Sequence, residues 1–208
     1  MTGLHPTSAA LLQTTIDLLD DHAPADITLE QVLTRSRVSK GSMYHHYRDF
    51  TELMDRALVA RFRDVTDAAI VAVRGVVIGS GTVEQFRAAL LELLRRTQGP
   101  GQSGRRARHV WLLAHATTRE SMRAELAVEQ QRLTDGLTEL LTVAREFGWI
   151  PSELDPRALV VLAQASGVGR VVDDVVEHRV DEESWDALVT TLVDAVLVDS
   201  SATAVAPD

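Results

Sequence analysis

The sequence of 208 residues has no cysteine, little aromatic content (4%) and no long apolar run. Without cysteine the chain can hold neither a disulfide framework nor a thiolate metal site. No apolar stretch approaches the ~20 residues of a membrane-spanning helix, and the segment MTGLHPTSAALLQ lacks the basic region that begins a signal peptide. These absences predict a soluble cytoplasmic protein, and an apolar content of 45% is enough for a sizeable core.

Two residue types that are rare in the chain, lysine and tyrosine, occur only in one stretch, residues 28–53. It contains the only lysine, Lys40, and the only two tyrosines, Tyr44 and Tyr47. Residues 35–63 carry a net charge of +4, whereas the remainder of the chain carries −13. Phosphate binding depends on such a local basic surface rather than on total charge. The acidic remainder would repel DNA and confine contact to one end of the molecule.

The same stretch has the pattern of two short helices joined by a tight turn. Thr28 and Gln31 have capping-box spacing, which begins a first helix. Ser39 is a suitable N-cap for a second, in which Met43 and Tyr47 lie four residues apart and share one face. The pattern predicts a helix-turn-helix, whose second helix lies in the major groove of DNA.

The segment VSKGSMYHHY, residues 38–47, resembles the recognition-helix signature of the TetR family, the tetracycline-repressor-like regulators, commonly Val-Ser-Lys-Gly-Thr-Leu-Tyr-His-Tyr-Phe. The resemblance implies an all-α protein with an N-terminal three-helix DNA-binding domain, residues 1–62. Residues 63–208 would then form a helical bundle that senses a ligand and dimerises through a four-helix interface. With two flanking residues added to the matched positions, the predicted DNA contacts are Thr28, Ser39, Lys40, Gly41, Ser42, Tyr44, His45 and Arg48.

Two positions depart from the family pattern. Ser36 and Arg37 stand where Ala-Gly is usual, and glycine there would ease the turn. Phe50 stands where a lysine is common, which removes one phosphate contact. His46 lies three residues from Met43, so we expect it to be partly buried rather than to contact DNA.

Beyond this stretch the apolar spacing is helical, without strand alternation or an internal repeat. Asp49 and Glu52 predict a capping box for the next helix. A small polar tail is expected at residues 200–208. The predicted helices outside the motif are 8–22, 49–73, 82–97, 105–117, 122–147, 156–178 and 182–198.

The last two predicted helices carry more apolar surface than one face can bury. Small residues in the first of them would allow another helix to approach closely. The resemblance likewise implies pairing of these helices between two copies of the chain; the alternative is that both pack within the monomer. The predicted dimer contacts are Ala163, Gly167, Gly169, Trp185, Leu188 and Leu192.

A small-molecule site within the bundle is implied by the resemblance, with a largely apolar effector. Each candidate could equally be an ordinary core residue. An arginine cluster, Arg105, Arg106 and Arg108, could bind an anion, but a solvated helix start is the preferred interpretation. The candidate ligand-lining residues are Phe86, Leu90, Trp111, His115, Leu137 and Gln164.

No catalytic motif is apparent. There is no G-x-S-x-G elbow, adjacent His45 and His46 point about 100° apart on a helix, and Gly99-Pro100-Gly101 lacks the lysine of a phosphate loop. The sequence therefore predicts no enzyme activity, no cofactor and no metal. It predicts a ligand-responsive regulator, a repressor that binds a palindromic operator as a homodimer. The alternatives are an all-helical small-molecule-binding or adaptor protein without DNA binding, and a helical-bundle enzyme.

Overall fold

The computed structural model describes residues 5–198, so the predicted tail at residues 200–208 lies outside it. Within that range the chain is helical and has no strand, which confirms the all-α prediction. Single 3-10 turns at Pro24–Asp26 and Pro100–Gln102 accompany the longer helices. The α-helices are α1 (Pro6–Asp21), α2 (Leu29–Ser36), α3 (Lys40–His46), α4 (Phe50–Gly79), α5 (Val83–Gln98), α6 (Ser103–Ala116), α7 (Glu120–Glu146), α8 (Pro156–Gly169), α9 (Val171–Asp174) and α10 (Glu182–Ala195).

The largest differences from the predicted helix ends are at α4 and α8. Helix α4 continues through Gly75, where the prediction ended it, because Val77 beyond the glycine is fully buried and holds the last turns in place. The predicted helix 156–178 instead ends at Gly169 and resumes as the short α9. Glycines weaken this turn by about 1 kcal/mol each relative to alanine. The backbone N–H of Asp173 then donates to the carbonyl of Arg170, three residues back, at 3.0 Å. That spacing is typical of a turn rather than of an α-helix.

The described chain divides into two compact units. The first contains the residues up to Val65 together with Ala116–Glu129, and the second contains Thr66–His115 and the residues from Gln130 onward. The first unit therefore extends past the predicted boundary at residue 62 and includes a distant segment. Arg119 of that segment donates to the carboxylate of Asp55 on α4 at 2.9 Å.

The core of the first unit forms where α1 packs against α2 and α3. Each of these helices contributes apolar side chains at helical spacing, and burying one of them stabilises the fold by about 1.5–3 kcal/mol. The most deeply buried are Leu11 and Leu19 of α1, Val32 of α2, Met43 of α3 and Leu53 of α4. Helix α3 is thus fixed to the unit by one face only.

The core of the second unit is built around two aromatic rings. Phe86 and Trp149 stack with their centroids 5.2 Å apart. Val77, Leu140, Ala144 and Ile150 complete the buried cluster.

Helices α4 and α7 approach each other closely within this unit at Gly136. A Cβ at that position would lie 2.8 Å from Cδ1 of Ile70. Ile70 can occupy its present position because residue 136 has no side chain.

Candidate nucleic-acid interface

Helix α2 begins with a complete capping box, as predicted. The Thr28 backbone N–H donates to Oε1 of Gln31 at 2.6 Å, and the Gln31 N–H donates to the Thr28 hydroxyl at 3.3 Å. Loss of such a cap costs about 1 kcal/mol. Thr28 is exposed but its hydroxyl already serves the helix, so any phosphate contact at this residue would share that oxygen.

The turn between α2 and α3 passes through a left-handed residue. Arg37 has φ 56° and ψ 30°, and it is the only described non-glycine residue with positive φ. Its N–H and that of Val38 both reach the carbonyl of Leu33, which closes the end of α2. Left-handed backbone costs an L-residue about 1–2 kcal/mol. The turn therefore has the conformation that glycine favours, with arginine in its place.

Helix α3 has one buried and one exposed face, as its spacing predicted. Ser39 caps the helix by accepting from the Ser42 N–H at 3.2 Å, and the two hydroxyls lie 3.0 Å apart. Met43 is fully buried and Tyr47 is 3% exposed, whereas the Tyr44 side chain is 49% exposed. The two tyrosines of the chain therefore take opposite roles, one in the core and one at the surface.

The buried tyrosine attaches α3 to α1. The Tyr47 hydroxyl donates to the carbonyl of Ser8 at 3.0 Å and accepts from the Ser8 hydroxyl at 2.8 Å. The Arg56 guanidinium lies over the Tyr47 ring, 5.8 Å from its centroid. Ser8 was not singled out from the sequence, because nothing local marks it as the partner of a residue so distant in the chain.

The exposed face of α3 presents several of the predicted contacts together. Lys40, Gly41, Tyr44 and His45 are exposed, and Ser42 is partly exposed. A Cβ at Gly41 would meet nothing within 4 Å, so no neighbouring group within the chain requires glycine there. Glycine would matter at this position if an external partner such as a DNA backbone approached the helix closely.

Arg48 and the following helix start differ in detail from the prediction. Asp49 accepts from the Glu52 N–H at 2.8 Å, but Glu52 reaches back to the N–H of Arg48, not to that of Asp49. The Glu52 N–H and then the Arg48 side chain hold the pKa of Asp49 below its usual range. Arg48 is highly exposed, with Nε 3.1 Å from the Asp49 carboxylate. A phosphate contact by Arg48 would compete with that weak surface pair.

Three imidazoles adjoin one another at the end of α3. The rings of His5 and His46 stack with centroids 4.8 Å apart, and His45 meets His46 edge-on at 5.1 Å. Desolvation, followed by the charges of His5 and His45, lowers the pKa of His46. His46 is partly buried, as expected. His5, which caps α1 by accepting from the Thr7 N–H at 3.3 Å, was missed, although Pro6 at the first helical position marks that helix start.

The six candidate ligand residues of the second unit occupy different surroundings. Phe86 and Leu90 belong to the apolar core cluster. Trp111 is 39% exposed and stacks on His115 with centroids 4.6 Å apart. The Gln164 amide accepts from Gln130 at 2.9 Å, and Leu137 is half-buried.

A cavity of about 130 Å³ lies elsewhere in the second unit, and none of the six residues lines it. Its walls are Leu94, Arg95, Gln98, Gly99, Arg170, Glu182, Trp185, Asp186 and Val189.

The arginine cluster on α6 is only partly solvated. Arg105 and Arg108 are exposed, but Arg106 is 6% exposed. Its Nε and Nη2 donate to the two carboxylate oxygens of Asp174, each at 2.6 Å. The preferred interpretation was wrong for Arg106, because its partner lies 68 residues along the chain and leaves no local pattern.

Helices α8 and α10 leave apolar side chains exposed. Leu188 and Leu192 are 51% and 55% exposed, and Ala163 and Gly169 are also at the surface. Gly167 is partly buried, with the Gln98 amide 3.9 Å from the position of a Cβ. Trp185 is partly buried and packs against the Arg170 guanidinium, 4.3 Å from the ring centroid. Further exposed apolar residues nearby in sequence are Val161, Leu162, Val172, Val175 and Val176.

No protein-family model and no curated protein sequence matches the chain. Solved structures do match it over nearly its whole length. GusR of Salmonella enterica superposes with a TM-score of 0.63 at 18% identity, covering 95% of this chain and 98% of its own. A TetR-family transcriptional regulator from Pectobacterium atrosepticum gives a TM-score of 0.58 at 19% identity, with 93% and 95% covered.

The chain has the TetR-family fold. A TetR/AcrR-family regulator from Thermobifida fusca also shares it, at 13% identity and a TM-score of 0.59, with 91% of this chain and 97% of the other covered. In this fold the helix-turn-helix of this chain is α2, the Arg37 turn and α3. Among the described residues, no group of histidine and carboxylate side chains has the arrangement of a metal site, and no helix is long and apolar enough to cross a bilayer.

Proposed function

We propose that the chain is a DNA-binding transcriptional regulator whose contact surface is the exposed face of α3. The observation that carries this proposal is the contrast within one short helix. Met43 and Tyr47 fix it to the core, while Lys40 and Tyr44 remain outside. A capped helix N-terminus with a lysine beside it suits a phosphate oxygen. Side chains along the same face would then meet the groove, where Tyr44 and His45 are available for backbone or base contacts.

Charge distribution supports the same surface. The net charge of +4 over residues 35–63 contrasts with −13 over the remainder. Each phosphate neutralised by a basic side chain releases counterions, which makes binding strongly dependent on salt. We therefore assign DNA binding to residues 1–62, with Thr28, Ser39, Gly41, Ser42 and Arg48 contributing backbone contacts around the α3 face.

We further propose that the protein acts as a homodimer. A single helix-turn-helix with so few basic residues reaches only a few phosphates, so alone it would bind weakly. Linking two of them makes the second contact effectively intramolecular. Leu188 and Leu192, which a monomer leaves in water, supply apolar area for this contact, with Gly169 allowing close approach. The two-fold symmetry then requires a palindromic operator with half-sites about one DNA turn apart.

Residues 63–208 would couple this dimer to a small molecule. A ligand that binds better to one arrangement of the recognition helices shifts the population toward it. In a repressor, the favoured arrangement has lower operator affinity, so the ligand releases DNA. The residues predicted to line a site for an apolar effector, which occupy different surroundings and do not line the cavity of about 130 Å³, are Phe86, Leu90, Trp111, His115, Leu137 and Gln164.

Selection of genomic fragments from the source organism tests the DNA-binding proposal. The purified full-length protein would be incubated with sheared genomic DNA at low salt, and bound fragments would be sequenced and confirmed by mobility shift. We expect enrichment of a few palindromic sites that the Lys40→Ala, Tyr44→Ala double variant fails to select. If the folded wild-type protein enriches no fragment, an all-helical binding or adaptor function replaces this proposal.

A further inference from the structure

The cavity of the second unit is lined by an unusual set of groups. Its walls come from the end of α5, the segment after α8 and the first half of α10. They combine aliphatic side chains, an indole and two guanidinium groups, of Arg95 and Arg170. The volume of about 130 Å³ is close to that of an engineered cavity, about 150 Å³, that accepts benzene. The space is therefore large enough for a small organic molecule.

Arg170 is the central charged group of this cavity. It is 6% exposed, and one guanidinium nitrogen, Nη1, donates to the Gln98 carbonyl. The guanidinium carbon lies 4.3 Å from the centroid of the Trp185 ring. Nε is buried without a hydrogen-bond partner, and Arg170 forms no ion pair with a carboxylate in the described part of the chain. Buried arginines are normally paired, so this group lacks a partner that its position calls for.

Two of the nearby carboxylates, Asp174 and Asp186, are committed to other arginines. Asp174 is held by both nitrogens of the Arg106 fork at 2.6 Å, and Arg106 also donates to the carbonyls of Gln98 and Gly99. Asp186, in the cavity wall, accepts from Nε of Arg95 at 3.1 Å. Desolvation, and then the charge of Arg106, lower the pKa of Arg170. The charges of Asp173, Asp174 and Glu182 act in the opposite direction and offset this effect only in part, so the pKa of Arg170 stays lowered.

We propose that this cavity binds a small organic monocarboxylate, with its carboxylate on Arg170 and its apolar body against Leu94 and Val189. Nη1 is already occupied by the Gln98 carbonyl and Nε is enclosed by the protein, so Nη2 is the guanidinium nitrogen that would donate a charge-assisted hydrogen bond to the carboxylate. An inorganic dianion fits less well, because Glu182 and Asp186 also line the cavity and would repel a second charge. The aliphatic side chains of Leu94 and Val189 also offer no hydrogen-bond donor to an inorganic dianion.

The role of this ligand as the effector rests on the proposed regulator function, whereas its binding does not. The first measurement is therefore made on the full-length protein without DNA. Benzoate and its neutral isostere benzamide would be compared by ligand-observed NMR and by thermal denaturation. We expect benzoate to bind and to raise the melting temperature, and benzamide to bind at least ~10-fold more weakly, since a charged hydrogen-bonded pair is worth about one decade or more in affinity.

Variants then assign the binding to Arg170. Arg170→Gln should weaken benzoate binding by ~10-fold or more, and Arg170→Lys, which keeps the charge but loses the planar guanidinium, should fall between that variant and the wild type. The matched control is Arg87→Gln. Arg87 also joins α5 to α10, through Asp194, but lies outside the cavity wall. Benzoate affinity should be unchanged in this control.

The outcomes separate the binding site from its regulatory role. Equal binding of benzoate and benzamide to the wild type, or no binding of benzoate at millimolar concentration, would overturn the inference without any variant. So would unchanged benzoate affinity in a folded Arg170→Gln protein. If benzoate binds through Arg170 but leaves operator affinity unchanged, the site stands and its role as effector site fails. If the protein binds no DNA at all, only the proposed function fails.

Discussion

Tyr47, the residue that ends α3, and Ser8, in the first turns of α1, are joined by two hydrogen bonds across 39 positions of sequence. Both residues are buried, so the pair lies inside the first unit rather than at its surface. The hydroxyl of Tyr47 is satisfied as donor and as acceptor. This pair fixes where α3 ends relative to α1.

Tyr47→Phe should therefore lower the free energy of unfolding by about 1–3 kcal/mol, because it leaves the Ser8 hydroxyl and carbonyl buried without their partner. Tyr44→Phe is the matched control. It removes the same atom from an exposed ring and should change stability by no more than about 0.5 kcal/mol, while it weakens DNA binding. Urea denaturation and a mobility-shift titration measure the two effects. Equal loss of stability in both variants would contradict the assignment of one tyrosine to the core and the other to DNA.

Lys40→Ala should weaken binding to all DNA sequences to a similar extent, because a lysine beside a helix N-terminus meets phosphate rather than a base edge. The slope of log affinity against log salt should become shallower by about 0.9 per subunit. Lys40→Arg, which retains the charge, should keep most of the slope. Affinity measured by fluorescence anisotropy at several salt concentrations checks this. An unchanged slope in the alanine variant would remove Lys40 from the interface.

Arg37→Gly should stabilise the protein. Relief of left-handed strain is worth about 1–2 kcal/mol, and the added freedom of glycine in the unfolded chain offsets about 0.4–1 kcal/mol of it, so we expect a net gain of up to about 1.6 kcal/mol. Arg35→Gly, two residues earlier within α2, should instead cost about 1 kcal/mol. Thermal and urea denaturation decide between the two signs. If both glycine variants are less stable than the wild type, the Arg37 side chain stabilises the fold by more than its left-handed backbone destabilises it.

Leu188→Glu combined with Leu192→Glu should produce a folded monomer that has lost operator affinity, although residues 28–53 are untouched. Both side chains are more than half exposed in the single chain, so their replacement leaves the core intact. The control is Val71→Glu, which places the same charge at an exposed apolar position on α4. Sedimentation velocity and a DNA-binding titration provide the readouts. A double variant that remains dimeric would place the interface elsewhere.

The features that sequence predicted well are those set by near neighbours in the chain. The Thr28 and Gln31 capping box, the Ser39 cap and the two faces of α3 depend on spacings of three or four residues, which an isolated helix already expresses. The preference for glycine at position 37 came instead from the resemblance to the TetR recognition-helix pattern.

The features that sequence could not predict depend on distant partners. The helix break at Arg170 accompanies contacts of its side chain with Gln98 and Trp185, and the buried state of Arg106 depends on Asp174. The inclusion of Ala116–Glu129 in the first unit likewise depends on tertiary contacts. The spacing of apolar residues along a helix cannot predict these contacts, because it does not show which other helix will pack against it.

The close approach at Gly136 has a consequence for how related chains can diverge. Because a methyl group there would overlap Ile70 in its present conformation, a side chain at position 136 requires the side chain at position 70 to move or to be shorter. A lineage that acquires alanine or serine at 136 should carry a shorter side chain at 70, and a lineage with a bulkier residue at 70 should retain glycine at 136. Correlated substitution of these two sites would then mark where α4 and α7 touch, even in homologues too distant for their sequences to be aligned with ease elsewhere.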